Sequence, residues 1–197
     1  GGTPNYFYTW SNAATTEDLS GLSGGTYIVT TTDANSCTET TTITLGSGSA
    51  TTIAVDNISD PGNLGTIIRL CDWFGLSELI CSKTTVDCYN PKVIQASMGS
   101  IARVRCHYIK DLGASLTALK KPVYGATTQG DSIYKAKLPK EASYVFGSES
   151  HGISESLLSH LTGQLSIPQF REGGNSAESL NVANASAIFL SELFRSS

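Results

Sequence analysis

No lysine or arginine occurs in the first 68 of the 197 residues, so a uniformly basic nucleic-acid-binding surface is excluded. No apolar run approaches the roughly 18 residues needed to span a bilayer, and membrane insertion is not expected. The five cysteines, Cys37, Cys71, Cys81, Cys88 and Cys106, are odd in number and form no CxxC pair. Neither a zinc site nor a full disulfide framework follows from them, and a reducing, cytoplasmic compartment is the simpler expectation. GxGxxG, GxxxxGK[ST] and HExxH are all absent, which leaves a Rossmann dinucleotide site, a P-loop and a zincin helix without support. The opening Gly1-Gly2-Thr3-Pro4 has no basic or apolar signal region and no initiator Met, so neither export nor a complete N-terminus is expected.

What is present is a soluble, globular composition, with 40% hydrophobic and 15% charged residues. The 17 acids and 13 bases are unevenly placed. Residues 1–50 hold the acids Glu17, Asp18, Asp33 and Glu39 and no base, whereas residues 51–197 balance 13 bases against the remaining acids. Threonine respects the same boundary, running as Thr30-Thr31-Thr32 and Thr40-Thr41-Thr42 only in the first part. The expected organisation is a small β segment over 1–46, a Gly/Ser linker over 47–50 and a larger domain over 51–197.

In the first segment, 6–10, 26–30 and 38–45 read as strands from their aromatic and β-branched content. Ser11-Asn12, Gly24-Gly25 and Asp33-Ala34-Asn35-Ser36 supply the turns. From residue 51 strands and helices alternate. Strands are expected at 51–55, 79–81, 103–108, 123–126, 144–146 and 165–167, and helices at 64–74, 91–97, 112–119, 154–160 and 180–194. Such alternation predicts an α/β fold, a parallel sheet covered by helices on both faces, with ligands held beyond the carboxyl ends of its strands. The loops 56–66, 147–152 and 168–181 lie at such ends.

Three motifs occupy those loops. Asp60-Pro61-Gly62-Asn63 turns into a helix that Asn63 could cap, and that helix carries Arg69 among Ile67, Ile68 and Leu70, where a buried guanidinium would need a partner such as Asp72. Phe146-Gly147-Ser148-Glu149-Ser150-His151-Gly152 runs from a strand end into a glycine-framed loop with one acid, which could equally cap the helix near Ser154. Ser166-Ile167-Pro168, then Ser179-Leu180-Asn181-Val182, open the last helix, with Ser179 as a candidate N-cap.

In this order and spacing the motifs resemble the SpoU (TrmH-type) RNA 2′-O-ribose methyltransferases of the SPOUT superfamily. The likeness runs over nearly all of 52–195. It implies a C-terminal trefoil knot, a homodimer with active sites at the subunit interface, and S-adenosylmethionine as cofactor, without a metal. Matched residue by residue, it places Asn63 and Arg69 as the first-motif Asn and catalytic Arg, Glu149 as the second-motif acid, and Ser179 and Asn181 as the third-motif pair. Gly147, Ile167 and Leu180 match positions whose backbone surrounds the adenosyl group. The implied substrate is a ribose 2′-OH of tRNA or rRNA. A hydroxyl is a poor nucleophile near neutral pH, so Arg69 is expected to hold the neighbouring phosphate and ease deprotonation, oriented by Asn63 and Glu149.

The chain departs from the pattern at Ser150, Gln95 and Asn184 and in the Gly-rich stretch 169–177 with Arg171. Relatives often carry an RNA-binding domain in front; here stands the acidic segment, which resembles a SprB-type repeat of bacterial surface adhesins through Tyr8, Trp10-Ser11-Asn12, Gly25-Thr26-Tyr27 and Cys37. RNA contact is then left to Lys83, Lys92, Arg103, Arg105, Lys110, Lys120, Lys121 and Arg171, which would position a backbone without choosing a sequence. The competing reading is an adhesin fragment joined to a knot domain whose chemistry is irrelevant.

Overall fold

The computed structural model describes residues 2–18, 25–45, 51–170 and 179–195. The expected linker, Arg171 and the segment that would close the expected knot lie outside them. The chain forms two compact units, Gly1–Ser49 and Ala50–Ser197.

The first unit is one antiparallel sheet of β1 (Phe7–Trp10), β2 (Gly25–Thr32) and β3 (Thr38–Leu45), in the order β1-β2-β3. Thr30 pairs with Thr40, where the two threonine runs meet end to end on neighbouring strands, and Thr32 pairs with Thr38. The tight β2–β3 connection is held by Asp33, whose Oδ1 accepts the amides of Asn35 (2.9 Å) and Cys37 (2.8 Å) while Oδ2 accepts that of Thr3 (3.0 Å). These donors hold the Asp33 carboxyl below its ordinary pKa. Val29 and Asp33 are the buried residues among those described here, because three strands cannot close a two-sided core.

The second unit carries a six-stranded parallel sheet in the order β6-β5-β4-β8-β7-β9. Its elements in chain order are β4 (Thr52–Val55), α1 (Pro61–Trp73), β5 (Glu78–Ser82), α2 (Pro91–Ser97), β6 (Arg105–Ile109) and α3 (Leu112–Ala118). There follow β7 (Val123–Ser132), β8 (Ser143–Phe146), α4 (Glu155–Leu158), β9 (Gly163–Ser166) and α5 (Val182–Arg195). Period-2 alternation sorts the strand residues between two cores. Ile53 and Val55 of β4 with Tyr144 and Phe146 of β8 pack under α1, α2 and α5, through Leu64, Ile67, Ile68, Val93, Phe189 and Leu190. Ala54 and Val145, one residue out of phase, pack on the opposite face against Leu112 and Leu116 of α3 and Leu157 of α4. The parallel sheet covered on both faces is as the sequence predicts.

The chain builds outward from β4 to β5 and β6, then crosses back to lay β8 on the other side of β4. The order therefore reverses between β4 and β8, and a crevice opens beyond their carboxyl ends. β7 is longer than the expected strand. Its pairing with β9 is interrupted between Ala126 and Asp131, so the intervening residues bulge out of the ladder at the same end of the sheet.

Candidate functional site

α1 begins at the carboxyl end of β4, and its N-terminus differs from the sequence expectation. Asp60, not Asn63, is the N-cap: its Oδ1 accepts the Asn63 amide at 2.8 Å, with Pro61 at the first helical position. Asn63 is thereby freed to use its side chain elsewhere. Gly65 is buried one turn on, where a Cβ would stand 2.5 Å from the Ala96 Cβ and 2.8 Å from the Val93 carbonyl, so α1 and α2 approach as only a glycine permits.

The loop after β8 is folded on itself. Ser148 and Gly152 exchange both backbone hydrogen bonds, at 3.0 and 2.8 Å, and a Cβ on Gly147 would sit 2.1 Å from the Gly152 carbonyl carbon. Glu149, at the tip, does not cap α4. Its Oε1 accepts the side-chain amide of Asn63 at 3.1 Å, that of Asn181 in a short bond, and the backbone amide of Val182 at 3.2 Å. Asn181 Nδ2 also reaches Asn63 Oδ1 at 2.9 Å. One carboxylate oxygen thus gathers residues separated by 86 and 32 positions.

α5 is capped by Asn181 and not by Ser179. Asn181 Oδ1 accepts the amides of Ala183 (3.0 Å) and Asn184 (3.2 Å), and its backbone carbonyl takes the first helical bond, from Ala185. A carboxylate and a cap oxygen therefore share the free N–H groups at this helix start, where negative charge is favoured. Ser179 and Leu180 are exposed just before it.

Arg69 stands apart from this cluster. Ile67 and Ile68 are buried, but the next position turns outward, and Arg69 lies on the exposed stripe of α1 with Gly62, Thr66 and Trp73. It makes no hydrogen bond or ion pair among the described residues, so neither Asn63 nor Glu149 orients it within one chain. Asp72 is engaged by another residue: Arg103 holds it through Nε at 2.9 Å and Nη2 at 2.6 Å, and Ser100 donates at 2.7 Å. The Arg103 and Ser100 bonds bring the Asp72 carboxyl down to about 2. Among the basic residues expected to meet RNA, Arg103 is thus paired, and Lys121 turns inward to donate to Thr52 Oγ1 at 2.6 Å. Lys83, Lys92, Arg105, Lys110 and Lys120 are exposed.

A cavity of about 550 Å³ lies beside the Glu149 cluster, within the range typical of small-molecule sites. It is lined by Gly147, Glu149, Ile167, Ser179 and Leu180, all singled out from sequence, and by residues that the sequence did not single out: the β7 bulge at Thr127, Thr128 and Gln129, and His151. The bulge had a weak sequence signal in Gly130, where a Cβ would fall 2.4 Å from the backbone of Gln164. Phe146, Ile153 and Phe189 give the cavity an apolar floor, while the Thr127 hydroxyl is buried with no partner among the described residues. An apolar pocket with an unmet hydroxyl and two glycine-tight loops fits a ligand that has a flat apolar part and a polar part. Among the described residues no group of three His, Cys, Asp or Glu side chains could hold a metal ion, and no helix is long and apolar enough to cross a membrane.

Known proteins resemble this chain in sequence and fold. The 23S rRNA (guanosine(2553)-2′-O)-methyltransferase RlmP of Bacillus subtilis is 33% identical over 149 residues, 72% of this chain and 56% of that protein. The 23S rRNA (guanosine-2′-O-)-methyltransferase RlmB of Neisseria meningitidis is 30% identical over 147 residues, 73% of this chain and 57% of that protein. The chain thus spans just over half the length of these relatives. Among solved structures, a TrmH-family protein of Porphyromonas gingivalis is 43% identical with a TM-score of 0.69, over 76% of this chain and 61% of that one. The SpoU methyltransferase AviRb of Streptomyces viridochromogenes, in complex with AdoMet, is 27% identical with a TM-score of 0.66, over 73% of this chain and 59% of that one. The family model of the SpoU rRNA methylases matches residues 50–191, and with the Asn63–Glu149–Asn181 cluster at the sheet's switch point it shows that the chain belongs to that family.

Proposed function

We propose that the second unit transfers a methyl group from S-adenosylmethionine to a ribose 2′-OH of tRNA or rRNA, acting in the cytoplasm as a homodimer with a knotted C-terminal segment. The observation that carries this reading is the convergence of Asn63, Asn181 and the Val182 amide on one Glu149 oxygen beside the 550 Å³ cavity. The cofactor, when bound, supplies a methyl group on a sulfonium. Gly147, Ile167 and Leu180 would hold it with their loops, with the Thr127 hydroxyl available to its polar atoms and Phe146 and Ile153 against its apolar part. Glu149 fixes the relative position of the three loops, and Ser179 lines the side toward which a ribose would enter.

Arg69 binds the phosphate next to the target ribose. A guanidinium stays protonated, so its contribution is electrostatic: it favours the alkoxide character that the 2′-oxygen gains as its proton passes to the neighbouring phosphate or to solvent, before the C–O bond forms and the S–C bond breaks. A dimer accounts for its distance from the Glu149 cluster, since one copy's Arg69, on the exposed stripe of α1, would complete the site of its partner.

The test is isothermal titration of S-adenosylmethionine, followed by tritiated methyl transfer to tRNA and to rRNA with alkaline digestion. A methylated 2′-oxygen cannot attack its own 3′-phosphate, so the label should survive in an alkali-resistant dinucleotide. Label in ordinary mononucleotides would mean base methylation and would refute the assignment, as would a folded protein that gives no heat with the cofactor at high micromolar concentration.

A further inference from the structure

Away from that site, three cysteines meet at the outer edge of the sheet. β5 and β6 pair in parallel with Leu79 beside Cys106 and Cys81 beside Tyr108, which puts Cys81 and Cys106 diagonally on one face. Cys88 comes down on the loop after β5, where its amide donates to the Tyr108 hydroxyl at 2.7 Å and that hydroxyl donates to the Val86 carbonyl at 2.6 Å. Cys88 and Cys106 line one cavity, and the thiols of Cys81 and Cys88 lie near enough to the Cys106 sulfur to influence its ionisation.

The three thiols are not equivalent. Cys81 is fully buried within a strand bonded on both sides. Cys106 is half-buried, and with Cys88 it lines a cavity of about 290 Å³ whose wall also includes Glu78, Arg103 and Arg105. Arg103 is committed to Asp72, and Arg105, exposed at the cavity, stands in register with Glu78 on the neighbouring strand, so the two charges there offset each other and access rests on the half-buried Cys106 itself. The neighbouring thiols, Cys81 first, hold the Cys106 thiol below its ordinary pKa against the opposing effect of burial, whereas desolvation pushes Cys88 up to about 11. A thiolate-stabilised sulfur with access from solvent and a second thiol in contact is the arrangement of an oxidisable pair.

We propose that Cys106 is a modification site for small hydroperoxides and that Cys88 resolves it, giving an intramolecular Cys88–Cys106 disulfide. The Cys106 thiolate attacks a peroxide oxygen. The O–O bond breaks, water or an alcohol leaves after taking up a proton, and a sulfenic acid remains. The Cys88 sulfur then attacks that sulfur, the S–O bond breaks, water leaves, and the S–S bond forms. Two thiols are oxidised by two electrons and one hydroperoxide is reduced. Cys88 is the partner because it sits on a loop free of the strand ladder, whereas Cys81 would have to distort two strand pairings.

The full chain carrying Cys37→Ser, which removes the exposed thiol of the first unit, is treated with stoichiometric hydrogen peroxide and digested without reductant. The expected result is loss of two hydrogens from the intact mass, a linked peptide pair containing Cys88 and Cys106, and reversal by dithiothreitol. With Cys88→Ser added, a sulfenic acid at Cys106 should persist and be trapped by dimedone; with Cys106→Ser, both products should be lost. A pair linking Cys81, dimedone on Cys88 in place of Cys106, or oxidation of Cys106 no faster than that of free cysteine would overturn the assignment. The first measurement needs no change at either thiol, so a variant that fails to fold does not leave the question open.

Discussion

At the scale of single residues, Arg69 and Glu149 present opposite cases. Glu149 satisfies three donors and joins three loops, so replacing it perturbs the fold and the cavity together. Arg69 touches nothing polar among the described residues, so its presence on an otherwise apolar helix turn has no structural account within one chain. Arg69→Ala should therefore leave the thermal midpoint within the ~0.5 kcal/mol typical of surface changes. Methyl transfer should fall to background while cofactor affinity stays nearly constant, because Arg69 acts on the RNA phosphate and on the charge that develops on the ribose oxygen, not on the cofactor. Arg69→Lys should recover little, since an ammonium lacks the planar fork that takes two phosphate oxygens at once. Parallel melting, titration and transfer measurements check this, and equal loss of cofactor binding would move Arg69 from the chemistry to the pocket.

Between elements, the contact that fixes where the first motif lies is α1 against α2. Gly65→Ala would gain about 1 kcal/mol of helix propensity. The added methyl, however, would stand 2.8 Å from the Val93 carbonyl and 3.0 Å from the Ser97 amide, which are backbone atoms that cannot rotate away. Overpacking of this kind costs about 1–3 kcal/mol, so the variant should be less stable by chemical denaturation; an unchanged midpoint would show that the helices separate easily. Most elements were legible in the sequence because their signals are local. Pro91 after Asn90 marks the start of α2, and the alternation of Ile53, Ala54 and Val55 marks β4 as buried on both faces. The helix caps were harder to read. Asp60 and Asn63 are both competent N-caps, as are Ser179 and Asn181, and Glu149, remote in sequence, bears on both choices: it draws the Asn63 side chain away and leaves the α1 cap to Asp60, whereas it holds Asn181 by Nδ2 and so leaves Oδ1 to cap α5. α4 is one turn, Glu155–Leu158, within the helix expected over 154–160, and the β7 bulge depends on pairing with β9, so it leaves no periodic trace in its own segment.

For the whole molecule, the charge boundary near residue 50 coincides with the division into Gly1–Ser49 and Ala50–Ser197. Among the described residues Val29 is the buried apolar residue of the first unit, and neither larger core includes a residue of that unit. Deleting residues 1–49 should leave cofactor titration and the cooperative melt of the remainder unchanged, and aggregation of residues 50–197 would make the β segment integral. The Glu149 cluster also carries a consequence for the order of folding. Asn63 and Asn181 are 118 residues apart, so the site closes a very long loop for a few hydrogen bonds. Such non-local contacts form late, after the sequence-local pairing of β4 with β5 across α1. During synthesis, a chain from which α5 has not yet emerged has every strand of its sheet but no seated Asn181. Cofactor binding thus becomes possible only once α5 has docked, and the ligand would report the seating of that helix.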